Sequence, residues 1–125
     1  MLEMRPVYTA YEREEYLAPF GLVPEEGKVV VCARYEDRFV GAAYLLVEGE
    51  VGTVLLYSLV PDYDDETDLF LLGKAMLNYM DLHGVKTVIY PSPVNEAMAK
   101  RLRFKQNDEG VYTLSLEGYF TGEHH

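Results

Sequence analysis

The sequence predicts an α/β (α+β) domain in which a mixed sheet carries helices on both faces. Two observations lead to this fold class. Three β-rich runs follow one another with only short polar turns between them, which is typical of an antiparallel three-strand meander. Helix-like and strand-like segments then alternate along the rest of the chain, as they do in domains that layer helices on a sheet. The predicted order is therefore a meander followed by α-β-α-β.

The meander and the segments before it are predicted from local signals. A short strand at Arg5–Tyr8 precedes a helix at Tyr11–Leu17, which Thr9 can cap. The three meander strands then occupy residues 28–35, 39–47 and 51–60. Pro61 ends the third strand, because a proline has no backbone N–H to give to a sheet.

The second half of the chain is predicted from helical periodicity and from glycine and proline. Apolar residues recur at helical spacing over Leu69–His83, and Gly84 is a natural helix terminator. Gly73 lies inside that helix, where glycine costs about 1 kcal/mol relative to alanine. The remaining predicted elements are a strand, a helix and a strand at Val85–Tyr90, Asn95–Leu102 and Val111–Leu116.

Length and charge restrict the classes of function. The 125 residues fit one domain, predicted at residues 1–121, and the final His124 and His125 suggest a disordered tail or tag remnant at 122–125. A net charge of −10 argues against nucleic acid and against an anionic membrane surface as partners. The single Cys32 and the absence of a secretory segment predict a reducing, cytoplasmic location.

Three segments together resemble a known family. The turn and strand Asp37–Gly41 are similar to its "hVG" hairpin, and Leu59–Tyr63 is similar to its "V-x-P-x-Y" strand end. A long helix ending at Gly84, followed by a strand and a short helix ending at Phe104, resembles its C-terminal half. In this order the segments resemble the GNAT (N-acetyltransferase-like) superfamily over roughly residues 28–116.

The resemblance implies a site as well as a fold. The thioester of acetyl-CoA or another acyl-CoA would lie in a gap between strands 51–60 and 85–90, with backbone groups near Leu59 and Val60 holding the pantetheine arm. Asn95 would contact the cofactor, or it caps the helix that follows it. Tyr57 and Tyr90 are candidate general acids, or amphipathic core residues whose hydroxyls have partners.

The segment that should bind the cofactor departs from the family pattern. The family wraps the diphosphate with a glycine-rich, basic loop, whereas residues 64–69 contain no glycine and no basic residue. With Asp62 the acidic run Asp62–Asp68 holds five carboxylates, which oppose a diphosphate. The run can instead cap a helix, hold a divalent cation or face a basic partner. Ala99 replaces a frequent tyrosine of the family, and Arg103 replaces a glycine.

The remaining polar candidates have ordinary explanations. Glu48 or Glu50 could deprotonate an amine, although turn glutamates are usually solvated. His83 ends a helix, where a cation is favourable. The sequence contains no pattern of a nucleophilic triad, a zinc-like cluster or a P-loop. With helix capping as the first interpretation of the acidic run, we predict no metal site.

Two functions from different classes remain open at this level. The first is a divergent N-acyltransferase that moves an acyl group from coenzyme A to an amine. The second is a non-catalytic binding or dimerisation module that does not bind acetyl-CoA. The second function would give the chain a basic protein partner or a second copy of itself as its partner.

Overall fold

The computed structural model describes residues 1–121, and the tail predicted at 122–125 lies outside the described residues. Within these 121 residues the α-helices are α1 (Ala10–Leu17), α2 (Glu66–Leu82) and α3 (Glu96–Arg101). The strands are β1 (Leu2–Val7), β2 (Lys28–Tyr35), β3 (Arg38–Glu48), β4 (Val51–Leu59), β5 (Thr87–Tyr90), β6 (Lys105–Gln106) and β7 (Tyr112–Ser115). A short 3-10 helix at Ala18–Phe20 extends α1.

All seven strands form one sheet in the order β1-β2-β3-β4-β5-β7-β6. Neighbouring strands are antiparallel except for β4 and β5, which are parallel. The predicted mixed sheet, its meander and the α-β-α-β order are confirmed. The two-residue strand β6 was not predicted, because a segment this short carries no periodicity.

Element boundaries differ from the prediction by a few residues, each for a local reason. Helix α2 begins at Glu66 rather than at Leu69, because the Asp65 side chain caps it and three polar residues form its first turn. Strand β5 begins at Thr87 rather than at Val85, because the Val85 N–H donates to the Met80 carbonyl at the end of α2.

A bulge in β4 reverses which side chains face each side of the sheet. Tyr44 of β3 lies opposite Leu56, and the next residue, Leu45, lies opposite Val54, so Leu55 is the extra residue. Before the bulge Val54 packs in the core beneath α2, and after it Tyr57 does so. Without the extra residue, strand alternation would direct Tyr57 to the opposite face.

Apolar side chains fill both faces of the sheet. The larger cluster lies on the side of α2 and α3 and includes Leu72, Met76 and Met98. The smaller cluster lies on the side of α1 and includes Tyr16 and Leu17. Helices therefore cover both faces, as predicted. No helix within residues 1–121 combines the length and the apolar character needed to cross a bilayer.

Candidate functional site

The sheet opens between β4 and β5. The two strands pair only through Val51–Thr87, Gly52–Val88 and Thr53–Ile89. Strand β4 then continues to Leu59 along β3, while β5 ends at Tyr90 along β7. Within the described chain, the second half of β4 therefore has a strand partner on one side only. We call the space between the diverging strands the β4–β5 opening.

The register of β3 and β4 fixes which backbone groups face this opening. The Val60 N–H donates to the carbonyl of Val40, directly opposite, at 2.9 Å. Because antiparallel pairs alternate between bonded and non-bonded, the backbone groups of Leu59 and Tyr57 point away from β3. They point towards the β4–β5 opening. An extended ligand lying there would meet N–H and C=O groups of β4.

The two candidate acids lie close together in the core beneath the diverging strands. The rings of Tyr57 and Tyr90 lie 6.3 Å apart, and the residues are 3% and 2% exposed. The Tyr57 hydroxyl donates to the carbonyl of Leu69 in α2. Burial raises the pKa of both phenols above the ordinary value near 10, at which a phenol is already protonated at neutral pH. The sequence thus pointed to a pair that the fold brings together, and a role in catalysis stays a prediction.

The residues expected to hold the cofactor lie on two sides of the opening. Both backbone groups of Val60 are used within the protein, since its carbonyl accepts from the Tyr63 N–H at 3.0 Å. Leu59 is half-buried at the end of β4, and its carbonyl accepts from the Ser58 hydroxyl. Asn95 lies beyond β5 and caps α3, with its Oδ1 accepting from the Met98 N–H at 2.9 Å.

The acidic run leads from β4 into the first turn of α2. The Asp65 carboxylate accepts from the Asp68 N–H at 3.0 Å, and the Tyr63 hydroxyl donates to the Asp68 carboxylate. Arg38 Nη2 lies 3.1 Å from the Asp62 carboxylate. The start of α2 therefore carries a carboxylate of the protein itself. Within the described residues, no three metal-ligating side chains come close enough together to hold a metal ion.

Two features of this region were missed at the level of sequence. Gly73 of α2 lies against the Tyr57 hydroxyl, and a glycine inside a strongly periodic helix was the available signal for such close packing. Arg38 of β3 also lies 5.3 Å from the centre of the Tyr63 ring. No sequence pattern pointed to this pairing, because it depends on how β3 and the acidic run meet in the fold.

The opened seven-stranded sheet with its helices has the fold of the GNAT N-acetyltransferases. The chain is similar to mutant forms of the spermidine/spermine N-acetyltransferase SpeG from Vibrio cholerae, with a TM-score of 0.76 and 8% identity. That match covers 98% of this chain and 99% of the other. It is also similar to the GNAT family N-acetyltransferase YhbS from Escherichia coli in complex with CoA, with a TM-score of 0.73 and 11% identity over 97% and 85% of the two chains. No protein-family model and no curated protein matches the sequence.

Proposed function

We propose that this chain is a divergent GNAT-fold N-acyltransferase whose donor is recognised mainly through its pantetheine arm. The observation that carries the proposal is the β4–β5 opening, into which Leu59 and Tyr57 direct backbone groups that have no strand partner among residues 1–121. A pantetheine arm is an extended chain with two amide groups, so it can pair with such a strand edge. The donor would be acetyl-CoA or another acyl-CoA.

The reaction would be direct transfer to an amine. The neutral amine nitrogen attacks the thioester carbonyl carbon, the C–S bond breaks, and the products are an amide and a free thiol. The amine loses one proton and the leaving thiolate gains one. The Tyr90 or Tyr57 phenol would supply the proton to sulfur, since both are protonated at neutral pH. The Tyr57 hydroxyl would first have to release the Leu69 carbonyl to which it donates.

A second candidate function is favoured by the acidic run. The Asp65 carboxylate already accepts from the first turn of α2, and four more carboxylates lie between residues 62 and 68. Like charges this close disfavour a diphosphate. A non-catalytic module would keep the fold and present this run to a basic partner or to a second copy of the chain.

The experiment that separates the two is a thermal-shift titration with acetyl-CoA and with S-acetyl-pantetheine, which lacks the diphosphate. If the opening receives the arm, both ligands raise the melting temperature saturably. A ligand at about 100 times its Kd adds about 2.7 kcal/mol to the free energy of unfolding. No shift with either ligand at millimolar concentration would contradict the acyltransferase proposal and favour the binding module.

Charge variants test whether the acidic run limits the donor. Asp64→Asn with Glu66→Gln should raise the affinity for acetyl-CoA by about tenfold at low salt, because two repulsive charges are lost. The affinity for S-acetyl-pantetheine should not change. Glu48→Gln with Glu50→Gln, at the end of β3 and in the turn that follows it, removes the same charge elsewhere and serves as the control. An equal gain in both variants would show a general charge effect.

A further inference from the structure

A groove lies at the other edge of the sheet, separated from the β4–β5 opening by β5 and β7. Its volume is about 710 Å³, and it runs between the end of α3, β6, β7 and the turn after β7. The floor is formed by Phe104, Leu114 and Tyr119, which are buried. The rim carries three cationic side chains, Lys100, Arg103 and Lys105, and one carboxylate, Glu117. We call it the β7 groove.

The rim of the β7 groove is basic, although the chain as a whole is acidic. Residues 100–105 contain four of the 11 basic residues, in a chain whose net charge is −10. Charges are screened over about 8 Å at physiological ionic strength, so an anion in the groove responds mainly to these nearby cations. Lys100 and Lys105 are exposed, and neither forms an ion pair with another residue in the range 1–121.

The groove also exposes a strand edge. The Leu116 N–H donates to the Lys86 carbonyl at 2.8 Å, so the preceding residue, Ser115, directs its backbone groups away from β5. Strand β6 pairs with β7 only at Thr113 and Tyr112 and does not reach Ser115. Ser115 is exposed, and its N–H and C=O face the groove at an edge that a further strand can join.

One rim residue holds an unfavourable backbone conformation. Arg103 has φ of 80°, in the left-handed region that favours glycine. The chain leaves α3 at this point, and glycine would make the same turn without the steric cost. Arg103 nevertheless occupies this position, and its cationic side chain lies on the rim of the groove.

From these observations we infer that the β7 groove is a docking site for an extended acidic peptide, which adds to the free edge of β7 at Ser115. Carboxylates of the peptide would face Lys100, Arg103 and Lys105, and its backbone would pair with Ser115. The groove combines rim cations with a strand edge at Ser115, a pairing that suits an extended chain better than a small molecule. The inference is independent of the acyl-transfer proposal.

The test is an NMR titration of the isotope-labelled full chain with a six-residue peptide that alternates glutamate and valine. Amide shifts are expected at Ser115, Glu117 and Lys105, with Kd values that rise with salt. The same peptide with alternate N-methylated amides keeps its charge but cannot pair as a strand, and it should bind at least about tenfold more weakly. Equal binding of the methylated peptide, or of a short oligonucleotide of equal charge, would overturn strand addition.

Two pairs of variants separate docking from folding. Arg103→Gly removes one cation of the rim together with the steric cost of a positive φ, and it should weaken peptide binding about threefold to tenfold. Glu36→Gly, at the other non-glycine residue with positive φ (58°) in the range 1–121, relieves the same kind of backbone strain and should leave the peptide affinity unchanged. Lys105→Glu should weaken binding more than Lys86→Glu, an equal charge change outside the groove. Unchanged affinity in Arg103→Gly and Lys105→Glu would overturn the inference.

A dilution series of the chain without peptide completes the test. The Ser115 and Lys105 amides should not shift with protein concentration if the occupant is a peptide of another protein. Concentration-dependent shifts at these amides, together with a dimer in sedimentation, would show that a second copy occupies the groove and would overturn the assignment to an acidic peptide. Shifts confined to Tyr57 and Leu59 would place the peptide in the β4–β5 opening instead.

Discussion

The hydroxyl of Tyr57 meets helix α2 where Gly73 has no side chain. A Cβ at Gly73 would overlap this hydroxyl and would lie 2.6 Å from Leu102 Cδ1. The same hydroxyl donates to the carbonyl of Leu69, one turn earlier in the helix. The glycine thus lets β4, α2 and α3 approach one another beside the β4–β5 opening.

This contact predicts that Gly73→Ala destabilises the protein, although the same change stabilises most helices by about 1 kcal/mol. We expect a loss of about 1–3 kcal/mol in the free energy of unfolding, because the added methyl group overpacks the site. Urea denaturation would measure it. In the background of Tyr57→Phe, which removes the hydroxyl, the loss should be smaller. A stabilising Gly73→Ala would contradict the packing described.

The pairing of Tyr63 with Asp68 predicts a change of stability at alkaline pH. Its hydrogen bond to the carboxylate raises the pKa of Tyr63 to about 12, from an ordinary value near 10. A raised pKa stabilises the fold fully below pH 10, and this contribution is lost as the pH rises towards 12. Denaturation across this range should show a shallower alkaline decline for Tyr63→Phe than for the unchanged chain. Parallel declines would contradict a raised pKa.

Asp65 is predicted to stabilise the start of α2 through its cap. Asp65→Ala should lower the free energy of unfolding by about 0.5–2 kcal/mol, because the Asp68 N–H loses its partner. Asp65→Asn should cost much less, since an asparagine caps equally well. Asp64→Ala provides the control, as Asp64 is exposed and precedes the cap. Thermal or urea denaturation compares the three variants.

Substitutions of Asn95 distinguish its two predicted roles, which are capping α3 and contacting the acyl donor. Asn95→Ser keeps a side-chain acceptor for the Met98 N–H, so the melting temperature should change little. If Asn95 also contacts the donor through its amide, the same variant should lower the affinity for S-acetyl-pantetheine in the thermal-shift titration. Asn95→Ala should lower the stability in either case. Unchanged affinity in Asn95→Ser would leave capping as the role of this residue.

The fold could be predicted from the sequence because its signals are local. The meander is marked by short polar turns such as Glu48–Glu50, and α2 by helical spacing that ends at Gly84. The bulge at Leu55 could not be predicted, since it is a property of the register between two strands. Strand β6 pairs with β7 at only two residues, so its extended conformation depends on that pairing and leaves no pattern in its own sequence.

The candidate site could be predicted only in part, because it depends on which strands lie next to each other. The sequence predicts Tyr57 within the strand at residues 51–60 and Tyr90 at the end of the strand at residues 85–90, and only the resemblance to a family brings those strands together. The β7 groove was not predicted, because its rim combines Lys100 with Ser115, which only the sheet order brings close. The departure of Arg103 from glycine was visible in the sequence, but its φ of 80° and its place on the rim required the structure.

The sheet consists of two parts, which we call plates, and only three residue pairs between β4 and β5 connect them within the sheet. The plate of β1 to β4 is held by long ladders, whereas the plate of β5, β7 and β6 is small and shares the core cluster under α2 and α3 with it. In amide hydrogen exchange the smaller plate should therefore open as its own cooperative unit, at a lower free energy than the meander. The β4–β5 opening and the β7 groove both border that smaller plate, so occupancy of either would slow the exchange of its amides.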